Sequence, residues 1–228
     1  VNLREELTER KVLAIIRADG PELALRCVRT LVEAGITALE VSLTTPGALD
    51  AIARARTRCP ASVLIGAGTV LTADQADAAR AARADFVVTP GITPGARRSA
   101  ARGVPLLCGA LTPTEVVTAL DLGAGAVKVF PAGLHGPGYL RELRAPLPHA
   151  PLVAVGGVDA RTAPEYLAAG ALAVGVGSPL LGSAGREGGD SQDRLAARAA
   201  AFLDGLAVPR QPAESAAALP GRTRRERP

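Results

Sequence analysis

The sequence predicts an α/β protein folded as one closed (β/α)8 barrel, the TIM-barrel arrangement, and three observations carry that prediction. Short β-branched or apolar runs alternate eight times with longer alanine-, leucine- and arginine-rich stretches of helical period. The runs recur about every 18 to 26 residues, room for a strand, a helix and two short connections. Eight such units satisfy a closed parallel barrel, whereas the alternative, a doubly wound open sheet, more often has about five to seven strands. A chain of 228 residues that is 48% apolar can bury the core such a barrel needs within one domain.

In chain order the candidate strands are 12–17 (VLAIIR), 38–43 (ALEVSL), 62–68 (SVLIGAG) and 86–90 (FVVTP) in the first half. Those of the second half are 104–109 (VPLLCG), 126–131 (AVKVFP), 152–157 (LVAVGG) and 171–177 (ALAVGVG). Each is rich in Val, Ile or Leu, and most end in glycine, proline or a polar residue, which marks the turn out of the sheet. The intervening helices have legible ends. Pro21, Pro46, Pro94, Pro113 and Pro164 sit near first turns, where a missing N–H leaves nothing unsatisfied. Gly35, Gly103, Gly123 and Gly170 stand just before the next strand, where a helix ends through a left-handed residue.

The barrel is expected over residues 1–206. From 207 the periodicity stops, and Pro209, Pro212, Pro220 and Pro228 punctuate an alanine- and arginine-rich stretch, so 207–228 is expected to be a disordered basic tail. Residues 209–228 hold five arginines against two glutamates, which accounts for most of the +4 net charge. The remainder is too balanced for a phosphate-backbone footprint, and with aromatics at 2% few rings exist on which bases could stack, so no nucleic-acid partner is expected. No stretch reads as a signal peptide or membrane span, and a cytoplasmic protein without a membrane partner is expected. Cys27, Cys59 and Cys108 are widely spaced, no CxxC occurs and only two histidines are present, so neither a disulfide framework nor a metal site is expected.

In a barrel, chemistry is carried at the C-terminal ends of strands, so polar residues inside apolar strands are the candidates. Lys128 is the sharpest. Of 26 basic residues only Lys11 and Lys128 are lysines, and the alternation in AVKVF turns Ala126, Lys128 and Phe130 to one face, the lumen. An ammonium among apolar walls loses solvation, which favours the free amine that attacks a carbonyl. Arginine stays protonated and cannot do this. The residues alone leave open that Lys128 only neutralises a buried carboxylate or holds a phosphate as a point charge.

Glu40 repeats the pattern on the second strand, with Ser42 on its face and Leu39 and Val41 on the other. Paired with Lys128 it would move protons for Schiff-base chemistry; a purely structural ion pair is the alternative. Arg17 ends the first strand, where its planar fork could grip a substrate carboxylate, or pair with a surface acid. Gly156-Gly157 and Gly175-Val176-Gly177-Ser178 follow strands seven and eight, where barrels commonly bind phosphate through backbone N–H groups, although glycines also simply make turns. His135 and Cys108 lie near loops on the same face and could touch substrate; the favoured readings are an ordinary loop residue and small core filler respectively.

These motifs resemble the 2-keto-3-deoxy-6-phosphogluconate (KDPG) aldolase family, which includes 4-hydroxy-2-oxoglutarate and 6-phosphogalactonate aldolases. The resemblance runs from Val12 to Leu206 and rests on AIIR at 14–17, AGITALEVSLTTP at 34–46, IGAGTVL at 65–71, FVVTPG at 86–91, GALTPTE at 109–115, KVFPA at 128–132, VGGV at 155–158 and AVGVGS at 173–178. It implies a homotrimer that needs no metal or cofactor beyond a covalent Lys128 imine. The implied reaction is cleavage of a 2-keto-3-deoxy-6-phospho sugar acid to pyruvate and D-glyceraldehyde 3-phosphate.

Residue by residue, Lys128 resembles the Schiff-base lysine and Glu40 the general acid/base. Thr69 and the backbone of Gly68 resemble the groups at the pyruvyl carboxylate, Pro90 the proline beside the imine, and Gly156, Gly157, Gly177 and Ser178 the phosphate site. Two positions depart from the pattern. Many members carry arginine where this chain has Thr44, which leaves Arg17 as the carboxylate clamp. Many gluconate-type members read Pro-Thr-Gly-Gly where this chain has Ala154-Val155-Gly156-Gly157, a form that resembles the galactonate type and leaves the C4 epimer open. A sugar-phosphate isomerase or epimerase would share the late glycines without needing an imine-forming lysine, and a non-catalytic sugar-phosphate-binding barrel would need neither Lys128 nor Glu40.

Overall fold

The eight strand-and-helix units close into a barrel of parallel strands, ordered β1 to β8 with β8 paired back to β1. The computed structural model describes residues 1–206; the expected disordered tail at 207–228 lies outside the described residues. The strands are β1 (Val12–Ile16), β2 (Ala38–Ser42), β3 (Leu64–Gly68), β4 (Phe86–Val88), β5 (Leu106–Ala110), β6 (Ala126–Val129), β7 (Leu152–Val155) and β8 (Ala173–Val176). Each lies inside its expected run or within a residue of it. At the C-terminal end the expected ranges overshoot for β1, β2, β4, β6, β7 and β8, because residues such as Arg17, Pro90 and Gly156-Gly157 have left the ladder to form the loops of the site.

The barrel begins with an element that sequence periodicity did not indicate, helix α1 (Leu3–Arg10). Asn2 caps it by accepting from the Glu5 N–H, and Glu5 and Glu6 sit in its first turn, where negative charge suits the helix dipole. Its Leu3 and Leu7 join the lumenal cluster of Leu13, Phe86, Leu107 and Val153, so α1 plugs the N-terminal mouth.

The helices after the strands form the outer ring. Helix α2 (Pro21–Glu33) starts on Pro21 and ends before Gly35, which has φ 99°, and it buries Ala24, Cys27, Val28 and Leu31 on one stripe. Gly103, Gly123 and Gly170 are left-handed as well, so all four expected glycine terminators hold. Pro46 differs: helix α3 (Ala48–Arg58) starts two residues later, behind Gly47. Helices α4 (Ala73–Ala81) and α6 (Pro113–Asp121) open with capping boxes, Thr72 with Gln75 and Thr112 with Glu115. Around them lie α5 (Pro94–Ala101), α7 (Gly136–Arg144), α8 (Ala163–Ala168), the short α9 (Ser178–Leu181) and α10 (Gln192–Gly205). α10 packs on α2 and closes the ring, with the Thr30 hydroxyl bonded to Gln192 Oε1 at 2.9 Å.

Most of the core lies between sheet and helices, and a smaller apolar cluster fills the lower lumen. Within the lumen the packing is in places large against none. A Cβ on Gly66 would lie 2.4 Å from the Phe86 ring, and one on Gly175 would lie 2.7 Å from Val155. Glycine is needed there because a neighbour already fills the space. Among the described residues no helix is long and apolar enough to cross a membrane.

Candidate active site

Strands β2 and β6 stand on opposite walls of the eight-stranded barrel, and each directs one ionisable side chain inward. Lys128 is register-paired with Gly109 of β5 and Val153 of β7 and is 5% exposed. Its ammonium lies 5.1 Å from the centroid of the Phe130 ring, a cation–π contact in a partly desolvated setting. Glu40 is register-paired with Ile15 and Gly66 and is 1% exposed. Both therefore face the lumen, as the strand alternation predicts.

The two charges do not form the contact pair that the sequence suggests. Neither Glu40 carboxylate oxygen has a hydrogen-bond partner among the described residues. Burial pushes the Glu40 carboxyl above its ordinary range, against the pull of the positive charges of Lys128 and Arg17. A carboxyl with no fixed partner and a raised pKa holds its proton more readily than an ion-paired carboxylate, which suits general acid and base chemistry. The space for it is made by β3: a Cβ on Gly68 would lie 2.8 Å from the Glu40 carboxylate.

Above Glu40 sits a row of hydroxyls. Ser42 Oγ lies 2.8 Å from both Thr44 Oγ1 and Thr69 Oγ1. Thr69 has φ 61°, a left-handed conformation that is strained for a β-branched residue and concentrates at functional positions. The Thr45 hydroxyl accepts from the Ala18 N–H at 3.1 Å and ties the loop that carries Arg17 to the end of β2. Arg17 lies one residue past β1 and is exposed, and its Nη1 passes 3.5 Å from where a Cβ on Gly177 would be. The guanidinium thus reaches toward the late glycine loop while its charge is still felt by Glu40.

Pro90 folds into the lumen next to Lys128. A Cβ on Gly109, the register partner of Lys128, would lie 2.2 Å from the Pro90 carbonyl carbon and oxygen. On the far side Gly156 and Gly157 have φ 89° and 74°. The Gly156 carbonyl accepts from the Gly133 N–H at 2.8 Å, and a Cβ on Gly157 would lie 2.9 Å from Gly133 Cα, so these glycines also answer a close backbone approach. Gly177 precedes α9, whose first residue is Ser178. Cys108 is buried on the outer face of β5, and His135 is exposed and stacked near Tyr139, with ring centroids 4.8 Å apart, so both fit their structural readings.

Eight of the ten candidate residues therefore lie at or just past the C-terminal ends of their strands, with Glu40 and Lys128 inside β2 and β6. Phe130 and Ser42 belong with them. Alternation places each on the lumenal face, but no motif indicates a contact for either. Among the described residues, no cluster of three or more His, Cys, Asp or Glu side chains could hold a metal ion.

The sequence matches the family described as KDPG and KHG aldolase over residues 3–195. The chain belongs to the KDPG and KHG aldolase family. It is with that family a carbon–carbon lyase. Among its relatives is the probable 2-dehydro-3-deoxy-6-phosphogalactonate aldolase of Rhizobium meliloti (strain 1021), 38% identical over 196 residues, covering 85% of this chain and 92% of the relative. A solved structure described as native KDPGal is 36% identical, with a TM-score of 0.78 over 85% of this chain and 93% of the other. A KDPG aldolase from Legionella pneumophila, solved with pyruvate captured at low pH as a covalent carbinolamine intermediate, is 27% identical with a TM-score of 0.75, covering 90% and 97% of the two chains.

Proposed function

We propose that this family member is a class I aldolase that cleaves a 2-keto-3-deoxy-6-phospho sugar acid, gluconate or galactonate type, to pyruvate and D-glyceraldehyde 3-phosphate. One observation carries the reading: a lone lumenal lysine, Lys128, faces a buried carboxyl, Glu40, whose oxygens are unpaired. The pyruvate carbinolamine of the Legionella relative supports it.

In this reading the neutral Lys128 amine attacks the C2 ketone, and Glu40 supplies the proton with which the carbinolamine hydroxyl leaves as water. The Glu40 carboxylate then takes the C4 hydroxyl proton, the C3–C4 electron pair moves to the iminium, and the aldehyde departs. Glu40 returns its proton to C3 of the enamine, and water hydrolyses the resulting imine to pyruvate and free lysine. No cofactor is required. Arg17, Thr69 and the Gly68 backbone hold the pyruvyl carboxylate, Pro90 packs beside the imine, and Gly156, Gly157, Gly177 and Ser178 receive the phosphate.

We rank the galactonate epimer first, because Val155 brings no hydroxyl into the lumen and the Rhizobium relative is named for that substrate. A homotrimer and a cytoplasmic setting complete the reading. The exposed apolar Leu71, Val117 and Leu134, which follow β3, β5 and β6, support association.

Pyruvate release, coupled to lactate dehydrogenase, tests the reaction with both C4 epimers and their unphosphorylated counterparts. The expected order is phosphorylated galactonate type, then gluconate type, with the unphosphorylated acids weaker by roughly a hundredfold or more in kcat/KM for loss of the phosphate contacts. An isomerase, an epimerase or a non-catalytic binding barrel would release no pyruvate from any of the four.

A further inference from the structure

We infer that Ser42 is a positioning residue: it orders a chain of three hydroxyls so that Thr69 presents its proton, rather than a lone pair, to the carboxylate of the bound keto acid. The inference rests on the reading of Thr69 as a carboxylate ligand and adds how that ligand is made a donor.

Ser42 is fully buried, faces the lumen two residues beyond Glu40, and stands beside Gly68 in the β2–β3 register. Its Oγ has one proton and two acceptor sites. The Thr44 N–H, which can only donate, approaches it at 3.4 Å and takes one acceptor site. The two remaining partners, Thr44 Oγ1 and Thr69 Oγ1, both at 2.8 Å, must share one acceptor site and one proton. Only two orders satisfy this.

In the first order Thr69 donates to Ser42 and Ser42 to Thr44. Thr69 then shows lone pairs to the lumen, which repel a carboxylate. In the second, exposed Thr44 donates to Ser42, Ser42 donates to Thr69, and the Thr69 proton is free to point at the substrate. An anion selects the second order, and each bond in the row polarises the next. Thr44 thus contributes the head of this chain. The left-handed φ of Thr69 is what brings its hydroxyl back over β2 to meet Ser42.

The test is borohydride trapping of the Lys128 imine at graded concentrations of pyruvate and, separately, of hydroxyacetone, a ketone with no carboxylate, in wild type, Ser42→Ala, Ser42→Thr, Thr44→Val and Thr69→Val. Ser42→Ala is expected to raise the half-saturating pyruvate concentration about tenfold, the scale of one charge-assisted hydrogen bond. It leaves half-saturation with hydroxyacetone unchanged and raises KM for cleavage with kcat within about threefold. Ser42→Thr, which keeps the hydroxyl, is expected to stay near wild type, and should its added methyl unfold the barrel, Thr44→Val carries the same test with a smaller rise.

An unchanged pyruvate response in Ser42→Ala, or an equal loss for pyruvate and hydroxyacetone, overturns the inference. If Thr69→Val weakens pyruvate while Ser42→Ala does not, the carboxylate reading survives and only the hydroxyl chain falls. If Thr69→Val has no effect, or wild type traps no pyruvate, both fall together.

Discussion

Lys128→Arg is expected to abolish aldol cleavage, lowering kcat/KM by roughly four to six orders of magnitude, the scale on which a covalent nucleophile is lost. The protein should remain folded. Arginine keeps the positive charge that faces Glu40 and the cation–π partner for Phe130, so a role for Lys128 as a point charge predicts near-normal behaviour. Only the free amine is missing, because a guanidinium does not deprotonate in a protein. Lys128→Met, which removes charge and amine together, separates the two contributions: it should match Lys128→Arg in activity. Pyruvate release and thermal unfolding of the two variants, measured side by side, check this. Retention of more than a few per cent of activity in Lys128→Arg would remove the imine from the mechanism.

Glu40→Gln is expected to lower kcat by roughly 10²- to 10⁴-fold, the contribution of a positioned acid and base, with KM changed only a few-fold since the carboxylate and phosphate ligands are intact. The same substitution should stabilise the fold at neutral pH. Burial raises the Glu40 pKa from its ordinary value of 4.5, so the folded state holds a proton that the unfolded state has released. Stability from this group is full below the ordinary value and is lost as pH rises from there through the raised folded value. Glutamine does not ionise and escapes that loss. The melting temperature of Glu40→Gln minus that of wild type is therefore expected to be near zero below about pH 4 and to grow as pH rises, by roughly 2–4 °C per kcal/mol. The attraction of Lys128 opposes this, but with both carboxylate oxygens unpaired the desolvation penalty is the larger effect. A Glu40→Gln protein less stable than wild type at pH 8 would reverse that ranking.

The barrel was legible because its strands are buried on both faces and read as apolar runs, and because glycines end its helices by a conformation few other residues adopt. What periodicity missed has local causes. Helix α1 is two polar turns with Leu3 and Leu7 as its only buried residues, too short a stripe for a periodic signal, although Asn2 and the early glutamates mark its start. Strand β4 is only three residues long because Pro90 brings no N–H to the ladder and turns over Gly109. In the site, Lys128 and Glu40 stood out as charges inside apolar alternation. The hydroxyl row did not, since it depends on the left-handed backbone of Thr69, a tertiary fact that no spacing encodes. The contact pairing of Glu40 with Lys128 was an expectation of charge balance. The structure shows instead a carboxyl left free, which suits the acid and base role proposed for it.

Borohydride reduction of the wild-type protein in excess pyruvate, followed by intact and peptide mass spectrometry, tests the Lys128 imine itself. One stable adduct per chain is expected, of the mass of a reduced pyruvate imine, on the peptide that contains Lys128 and on none that contains Lys11. A folded protein that shows no adduct, or carries it elsewhere than Lys128, would contradict the Schiff-base mechanism assigned to this barrel.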